Sequence, residues 1–147
     1  MDKATVLLVD DSPGDARLIL EAFKGGEAKT KIKVVQDGVE AISFLRKEGL
    51  YAHEARPDLI LLDLNMPRKD GREVLAEIKK DAKFKLIPVL VLTTSSQPQD
   101  IQGSYEGHAN SYIIKPMDMP TFFETIKSLE EFWFHTVTLP PHDASND

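Results

Sequence analysis

The chain has 147 residues, a length at which one domain with one substantial hydrophobic core is typical. Its net charge of −6 argues against direct DNA binding, because a phosphate-backbone binder needs clustered Lys and Arg. Cysteine is absent, no apolar run approaches the ~20 residues of a membrane-spanning helix, and the first residues lack a secretory signal, so we expect a cytoplasmic protein without disulfides or membrane segments.

Short apolar runs alternate with helix-period segments along the chain. The first two runs lie near residues 5–9 and 32–35, and the amphipathic segment Arg17–Lys24 between them is expected to end at Gly25–Gly26. Before this segment, Ser12–Asp15 supplies an N-cap serine, a proline at the first helical position and an acid at the third. The beginning of the chain therefore predicts a strand, a helix and a second strand.

The alternation continues to the end of the fifth run. Val39–Lys47 is amphipathic and precedes an apolar run at 58–62, while Arg72–Lys80 is amphipathic and precedes a run at 88–92. The last run lies at 112–114 and is followed by a helical segment with a wide apolar face. Several of these runs are continuously apolar, which is typical of parallel strands covered on both faces.

Five strand-then-helix units predict an α/β fold with a parallel sheet between two layers of helices. Asp70–Glu73 resembles a capping box at the start of one helix. Arg46–Pro57 is a weak candidate for a linker because it is long for a helix-to-strand turn. The segment from Thr136 onwards is too polar and rich in proline to predict a further domain.

The apolar runs end at residues with chemically useful side chains. Asp10 and Asp11 follow the first run, Asp63 the third, Thr93 the fourth and Lys115 the fifth. In open α/β sheets, ligands bind beyond the carboxyl ends of the strands, where the strand order reverses. Acids, a hydroxyl and an ammonium group at this edge predict a site for a cation and a phosphoryl group.

Each of these residues also has a simpler interpretation. Asp10 and Asp11 suit Mg²⁺, which prefers hard oxygen ligands, although Asp11 alone could cap the following helix. Asp63 could be a metal ligand, a nucleophile that forms an acyl phosphate, or an acid without a role. Thr93 alone could simply close a strand, and an isolated Lys115 would be solvated. Their joint occurrence favours the functional interpretation.

Aromatic residues near the end of the chain leave further alternatives open. Tyr112 could belong to the core or be a rotating surface ring. Phe132, Trp133 and Phe134 exceed what core packing of the last helix requires, so they are a candidate partner surface.

The chain resembles the receiver domain of two-component response regulators, from about Ala4 to Phe134. The resemblance implies a doubly wound, flavodoxin-like (βα)5 fold with five parallel strands in the order 2-1-3-4-5. It rests on the motifs Leu8–Ser12, Leu62–Pro67, Asp70–Gly71, Leu92–Thr94 and Lys115–Pro116.

The resemblance also implies residue roles. Asp63 would be the phosphoacceptor, and Mg²⁺ or Mn²⁺ would be held by the side chains of Asp11 and Asp63, by the Asn65 backbone carbonyl and by Asp10 through water. Two residues, Thr93 and Lys115, would bind the phosphoryl group. The switch pair that responds to it would be Thr93 and Tyr112.

A closer similarity is to the stand-alone receivers typified by the cyanobacterial phytochrome response regulators. It implies a sensor histidine kinase as partner, phytochrome-like or of another type, and a homodimer formed through the fourth helix, fifth strand and fifth helix. We expect residues 1–134 to form the receiver and 135–147 a C-terminal extension without a separate output domain. The similarity rests on Lys69–Lys79, Leu92–Ser95, Ser104–Tyr105, His108–Asn110, Phe132–Trp133 and Thr136–Pro140.

The resulting hypothesis is a phosphoacceptor signalling protein rather than an enzyme with its own substrate. Two alternatives come from other classes. One is a phosphate-independent dimeric interaction module that uses the aromatic end of the last helix. The other is a small phosphohydrolase with an Asp nucleophile, although Asn65 stands where such an enzyme would carry its second acid.

Overall fold

The computed structural model describes residues 4–24 and 30–141. Its centre is a five-stranded parallel sheet in the order β2-β1-β3-β4-β5, which confirms the predicted doubly wound topology. The strand order reverses beside β1, so the loops after β1 and β3 diverge to opposite faces and leave a crevice between them. The strands are β1 (Thr5–Val9), β2 (Lys31–Val35), β3 (Leu59–Leu62), β4 (Val89–Thr93) and β5 (Ser111–Ile114).

Helices follow each strand, as the sequence predicts. The Ser12 hydroxyl accepts a hydrogen bond from the Asp15 N–H at 3.2 Å, and the predicted capping box between Asp70 and Glu73 is confirmed. The predicted helix end at Gly25–Gly26 lies outside the described residues. The helices are α1 (Pro13–Lys24), α2 (Gly38–Leu45), α3 (Gly71–Lys80), α4 (Pro98–Glu106) and α5 (Met119–Glu131), and a π-helix (Phe132–Thr136) continues α5.

Two hydrophobic cores lie on opposite faces of the sheet. Successive residues of β1 alternate between them: Leu7 and Val9 pack with α2 and α3, whereas Val6 and Leu8 pack with α1 and α5. All five residues of this strand are buried. Burial on both faces explains the continuous apolar runs, because neither set of side chains meets water.

The weak linker candidate, Arg46–Pro57, is part of the folded domain. It contains a short 3-10 helix, Gly49–Tyr51, whose Tyr51 ring lies 5.3 Å from the ring of Phe44. The Tyr51 hydroxyl also donates to the Glu40 carboxylate at 2.9 Å. These contacts attach the segment to α2, so the linker interpretation was wrong.

The described part of the chain contains no helix that combines the length and apolar character needed to cross a bilayer. The predicted division at residue 134 falls within the π-helix. It stays a prediction, and residues 142–147 of the predicted extension lie outside the described residues.

Candidate functional site

Backbone pairing brings the predicted site residues to one edge of the sheet. The Asp63 N–H donates to the Val9 carbonyl at 3.0 Å, which places the end of β3 beside the end of β1. The Lys115 N–H donates to the Thr93 carbonyl at 2.7 Å, which joins the ends of β5 and β4 in the same way. The register of the sheet therefore positions these polar side chains.

Three carboxylates gather at the centre of this edge. Asp10, Asp11 and Asp63 each offer an oxygen, and these oxygens lie within 4.8 Å of one another. Asp10 and Asp63 are buried, whereas Asp11 is exposed and open to an arriving ion. The Asn65 N–H donates to Asp63 Oδ1 at 3.2 Å and restrains that carboxylate. Hard oxygen donors at this spacing fit a divalent cation.

The ammonium group of Lys115 lies against the acidic cluster. Its Nζ donates to Asp10 Oδ2 at 2.8 Å, to Asp15 Oδ2 at 2.9 Å and to Asp63 Oδ2 at 3.1 Å. Burial opposes the charged form, but the hydrogen bonds to Asp10 and Asp15 and the charges of Asp10 and Asp63 outweigh it and raise the pKa of Lys115. The side chain thus remains a cation in the buried site.

Asp10 is the most deeply buried acid of the cluster, with 2% of its surface exposed. Burial raises the pKa of its carboxyl above the usual value, although the hydrogen bonds from Lys115 and from the Ser12 N–H oppose the shift. The Ser12 N–H reaches Asp10 Oδ1 at 2.9 Å. One Asp10 oxygen is therefore held by the loop before α1 and the other by Lys115.

Thr93 contributes a buried hydroxyl to the same edge. The residue is fully buried, and its Oγ1 has no hydrogen-bond partner among the residues that the structure describes. An unsatisfied buried hydroxyl costs about 1–3 kcal/mol, so the protein is stabilised by any state that brings an acceptor within its reach.

A polar network connects the loop after β4 with α3 and β5. The Tyr112 hydroxyl donates to the Ser95 carbonyl at 2.9 Å, and the Ser95 hydroxyl donates to Asp100 Oδ2 at 2.5 Å. Arg72 Nη2 donates to Asp100 Oδ1 at 2.7 Å and ties α3 to α4. The Tyr112 ring is partly buried against the core, so the structure places it between the two alternatives that the sequence left open.

The three aromatic residues after α5 differ in their surroundings. Phe132 is half exposed, while Trp133 and Phe134 are partly buried against the core that α1 and α5 share. The Phe132 and Trp133 rings meet edge to face, with their centroids 5.7 Å apart. Of the three, Phe132 is therefore the most accessible to a partner.

Sequence reasoning missed three residues that the structure brings to the site or its network. Asp15 was interpreted only as an acid in the first turn of α1, yet its carboxylate binds Lys115. Arg72 and Asp100 lie 28 positions apart and form the bridge between α3 and α4. Their charge types were a weak signal, but their pairing depends on how the helices pack.

Comparison with known proteins identifies the family of the chain. Residues 6–127 match the response regulator receiver domain family. The chain belongs to this family. The receiver is also 47% identical over 135 residues to the response regulator Rcp1 of Synechocystis sp., with 92% of each chain covered. It is 38% identical to the probable methanogenesis regulatory protein FilR2 of Methanothrix harundinacea, covering 90% of the receiver and 84% of FilR2.

Two solved structures resemble the receiver over nearly their whole length. The phosphorylated cyanobacterial phytochrome response regulator RcpA is 50% identical, with a TM-score of 0.92 over 95% of this chain and 100% of that chain. The Mn²⁺-bound form of Rcp1 is 46% identical, with a TM-score of 0.91 over 94% of this chain and 99% of that chain. The predicted resemblance to the phytochrome-type response regulators is confirmed.

Proposed function

We propose that Asp63 accepts a phosphoryl group from a sensor histidine kinase in a Mg²⁺-dependent reaction, and that the phosphorylated receiver signals through a changed protein surface. The main support for this proposal is that Asp63 lies beside Lys115 and the acidic pair, Asp10 and Asp11, at the carboxyl ends of the strands. The phosphorylated state of the similar RcpA supports it. A kinase that draws its phosphoryl group from ATP acts in the cytoplasm, where we place this receiver.

The transfer requires one nucleophile and one leaving group. A carboxylate oxygen of Asp63 attacks the phosphorus atom of a phosphohistidine, the P–N bond breaks, and its electron pair returns to the imidazole. Lys115, 3.1 Å from Asp63, neutralises negative charge that gathers on the transferred oxygens. Buried strand ends hold both groups in place, and phosphoryl transfer depends mainly on such positioning and electrostatics.

Asp10, Asp11, Asp63 and the Asn65 carbonyl would hold the cation, with Asp10 acting through water. Mg²⁺ is the proposed ion, and the Mn²⁺-bound form of the similar Rcp1 supports a divalent cation here. When bound, the ion reduces the repulsion between the carboxylates and the incoming phosphoryl group. The clustered carboxylate oxygens and the exposed position of Asp11 support this assignment.

The response to phosphorylation would begin at Thr93. Its unpartnered hydroxyl gains an acceptor when a phosphoryl oxygen is present, which favours inward movement of the strand end and of the following loop. The Tyr112 hydroxyl and Asp100 both hold Ser95 in this loop, so the movement would also disturb their bonds. The signal is then a shift between two populated conformations.

Thr93→Val is expected to separate stability from signalling. Valine has nearly the same shape as threonine but no hydroxyl, so the substitution removes an unsatisfied buried group. The free energy of unfolding of the unphosphorylated receiver should therefore rise by about 1 kcal/mol. The conformational response to beryllofluoride, which mimics the acyl phosphate, should disappear. Urea denaturation and amide hydrogen exchange with and without beryllofluoride measure the two effects. Destabilisation, or an undiminished response, would contradict the role of Thr93.

We also propose that the receiver forms a homodimer through α4, β5 and α5. Apolar side chains on these elements and on the following π-helix are substantially exposed: Tyr105 on α4, Ile114 on the edge strand β5, Met119 on α5 and Phe132. A second copy would cover them and the open edge of β5.

Phe132→Glu should weaken self-association about tenfold or more, because a charge would be buried in the contact. Leu50→Glu is the matched control, since Leu50 is fully exposed on the short 3-10 helix, away from this face. Sedimentation velocity with and without beryllofluoride measures the effect. Equal association of both variants would exclude this face. A dimer whose self-association is the same with and without beryllofluoride and Mg²⁺ would favour the phosphate-independent interaction module.

A phosphotransfer profile tests the proposed function. Autophosphorylated histidine kinases from the same organism are mixed with the receiver, and label transfer is followed with Mg²⁺ and with EDTA. We expect rapid transfer from one kinase and none after chelation. Transfer that continues in EDTA would contradict the metal assignment, and turnover of phosphate monoesters would favour the phosphohydrolase.

A further inference from the structure

The three acceptors of the Lys115 ammonium group are not equivalent. An ammonium has three N–H donors, and all three are directed at carboxylates, those of Asp10, Asp15 and Asp63. Asp10 and Asp63 belong to the cluster that fits a divalent cation, whereas Asp15 does not. Asp15 is also the most accessible of the three, with 34% of its side chain exposed against 1% for Asp10 and 10% for Asp63.

Lys115 and a divalent cation would interact with the same carboxylates, those of Asp10 and Asp63. A cation that engages Asp10 and Asp63 would weaken two of the three acceptors of Lys115 and would place like charges close together. A buried ammonium without partners is costly, so Lys115 needs a remaining carboxylate. Asp15 is such an acceptor, because its Oδ2 already lies 2.9 Å from Nζ.

We propose that Asp15 is a positioning residue, which keeps a hydrogen bond to the Lys115 ammonium when a cation engages Asp10 and Asp63. This hydrogen bond must break before Lys115 can bind a phosphoryl oxygen on Asp63. Asp15 thereby favours cation binding and opposes capture of Lys115 by the phosphoryl group. The inference rests on the proposed function, since it assumes a cation and a phosphoryl group at this edge. It adds a residue of α1 to a site otherwise formed at strand ends and in the loops that follow them.

A purely structural role for Asp15 makes a different prediction. An acid at the third position of α1 stabilises the helix through its dipole, and its loss would lower the stability of the fold. Such a loss gives no reason for cation affinity and phosphoryl-analogue affinity to change in opposite directions. Opposite changes exclude a purely structural role, and a second background then separates the shared lysine from the direct effect of the Asp15 charge.

The test uses Asp15→Asn, with Glu21→Gln as the matched control. Glu21 is an exposed acid of the same helix, and it is not among the described residues that accept a hydrogen bond from Lys115. Calorimetric titration with Mg²⁺ alone measures cation affinity, and titration of beryllofluoride at saturating Mg²⁺ measures affinity for the phosphoryl analogue. We expect Asp15→Asn to weaken Mg²⁺ binding and to tighten beryllofluoride binding, each about two- to fivefold, because the contact is partly exposed.

A Lys115→Met background shows whether the effect passes through the lysine. In that background, Asp15→Asn should change Mg²⁺ affinity no more than Glu21→Gln does. Persistence of the full effect would overturn the inference and leave only the direct electrostatic effect of the Asp15 charge. Shifts of both affinities in the same direction, or no shift beyond the control, would also overturn it. Failure of the wild-type receiver to bind Mg²⁺ or beryllofluoride would instead reject the proposed function.

Discussion

Asp63→Asn is expected to reduce phosphoryl incorporation to background. The amide has nearly the same shape as the carboxylate but is a poor nucleophile, and it removes a ligand of the proposed cation. Labelled transfer from the cognate kinase, together with labelling by phosphoramidate, measures the loss. Phosphoramidate is a small donor that needs no kinase docking, so a loss of labelling by it does not come from impaired binding of the kinase.

The fold of this variant should remain intact. The Asn65 N–H can still donate to the amide oxygen of the variant, Lys115 keeps Asp10 and Asp15 as acceptors, and the surrounding strands are unchanged. Glu21→Gln, which removes one exposed acid from α1, is the control for net charge and should be labelled normally. Labelling of Asp63→Asn at the control level would refute the assignment of Asp63 as phosphoacceptor.

Gly71→Ala is expected to destabilise the receiver by about 3 kcal/mol and to impair the site, because the change overpacks a rigid region. A Cβ at this position would lie 2.1 Å from the Asp63 carbonyl oxygen and 2.7 Å from Leu64 Cα. Both are backbone atoms, so rotation of a side chain cannot relieve the contact. The start of α3 would have to move away from the loop that carries Asp63.

Gly103→Ala is the matched control, since a Cβ there meets nothing within 4 Å and the residue lies inside α4. This change should raise helix stability by about 0.5–1 kcal/mol. Urea denaturation of both variants gives the comparison, and Mg²⁺ titration reports on the site. A Gly71→Ala protein with wild-type stability and cation affinity would show that the contact around Asp63 is not tight.

The main features of the site could be predicted because they follow from strand topology. Asp10, Asp63, Thr93 and Lys115 each come at or directly after the end of an apolar run, and parallel strands bring such ends to one edge. The register of the sheet then places Asp63 beside the end of β1 and Lys115 beside Thr93. Local sequence and a simple packing rule were sufficient for this part.

Features that depend on side-chain packing could not be predicted. Asp15 is an ordinary helix N-terminal acid by sequence, and only the approach of α1 to the end of β5 brings its carboxylate to Lys115. The Arg72–Asp100 pair depends on the spacing between α3 and α4. The unpartnered hydroxyl of Thr93 was equally invisible, because a sequence does not show which buried groups lack acceptors.

The chemical position of the phosphoryl group decides whether Asp63 is the phosphoacceptor. The receiver is labelled by its kinase or by phosphoramidate with Mg²⁺, cleaved under conditions that preserve acyl phosphates, and mapped by tandem mass spectrometry. The account predicts one phosphoryl group, on the Asp63 carboxylate, that hydroxylamine releases. A phosphoryl group on any other residue, or one that resists hydroxylamine, would contradict it.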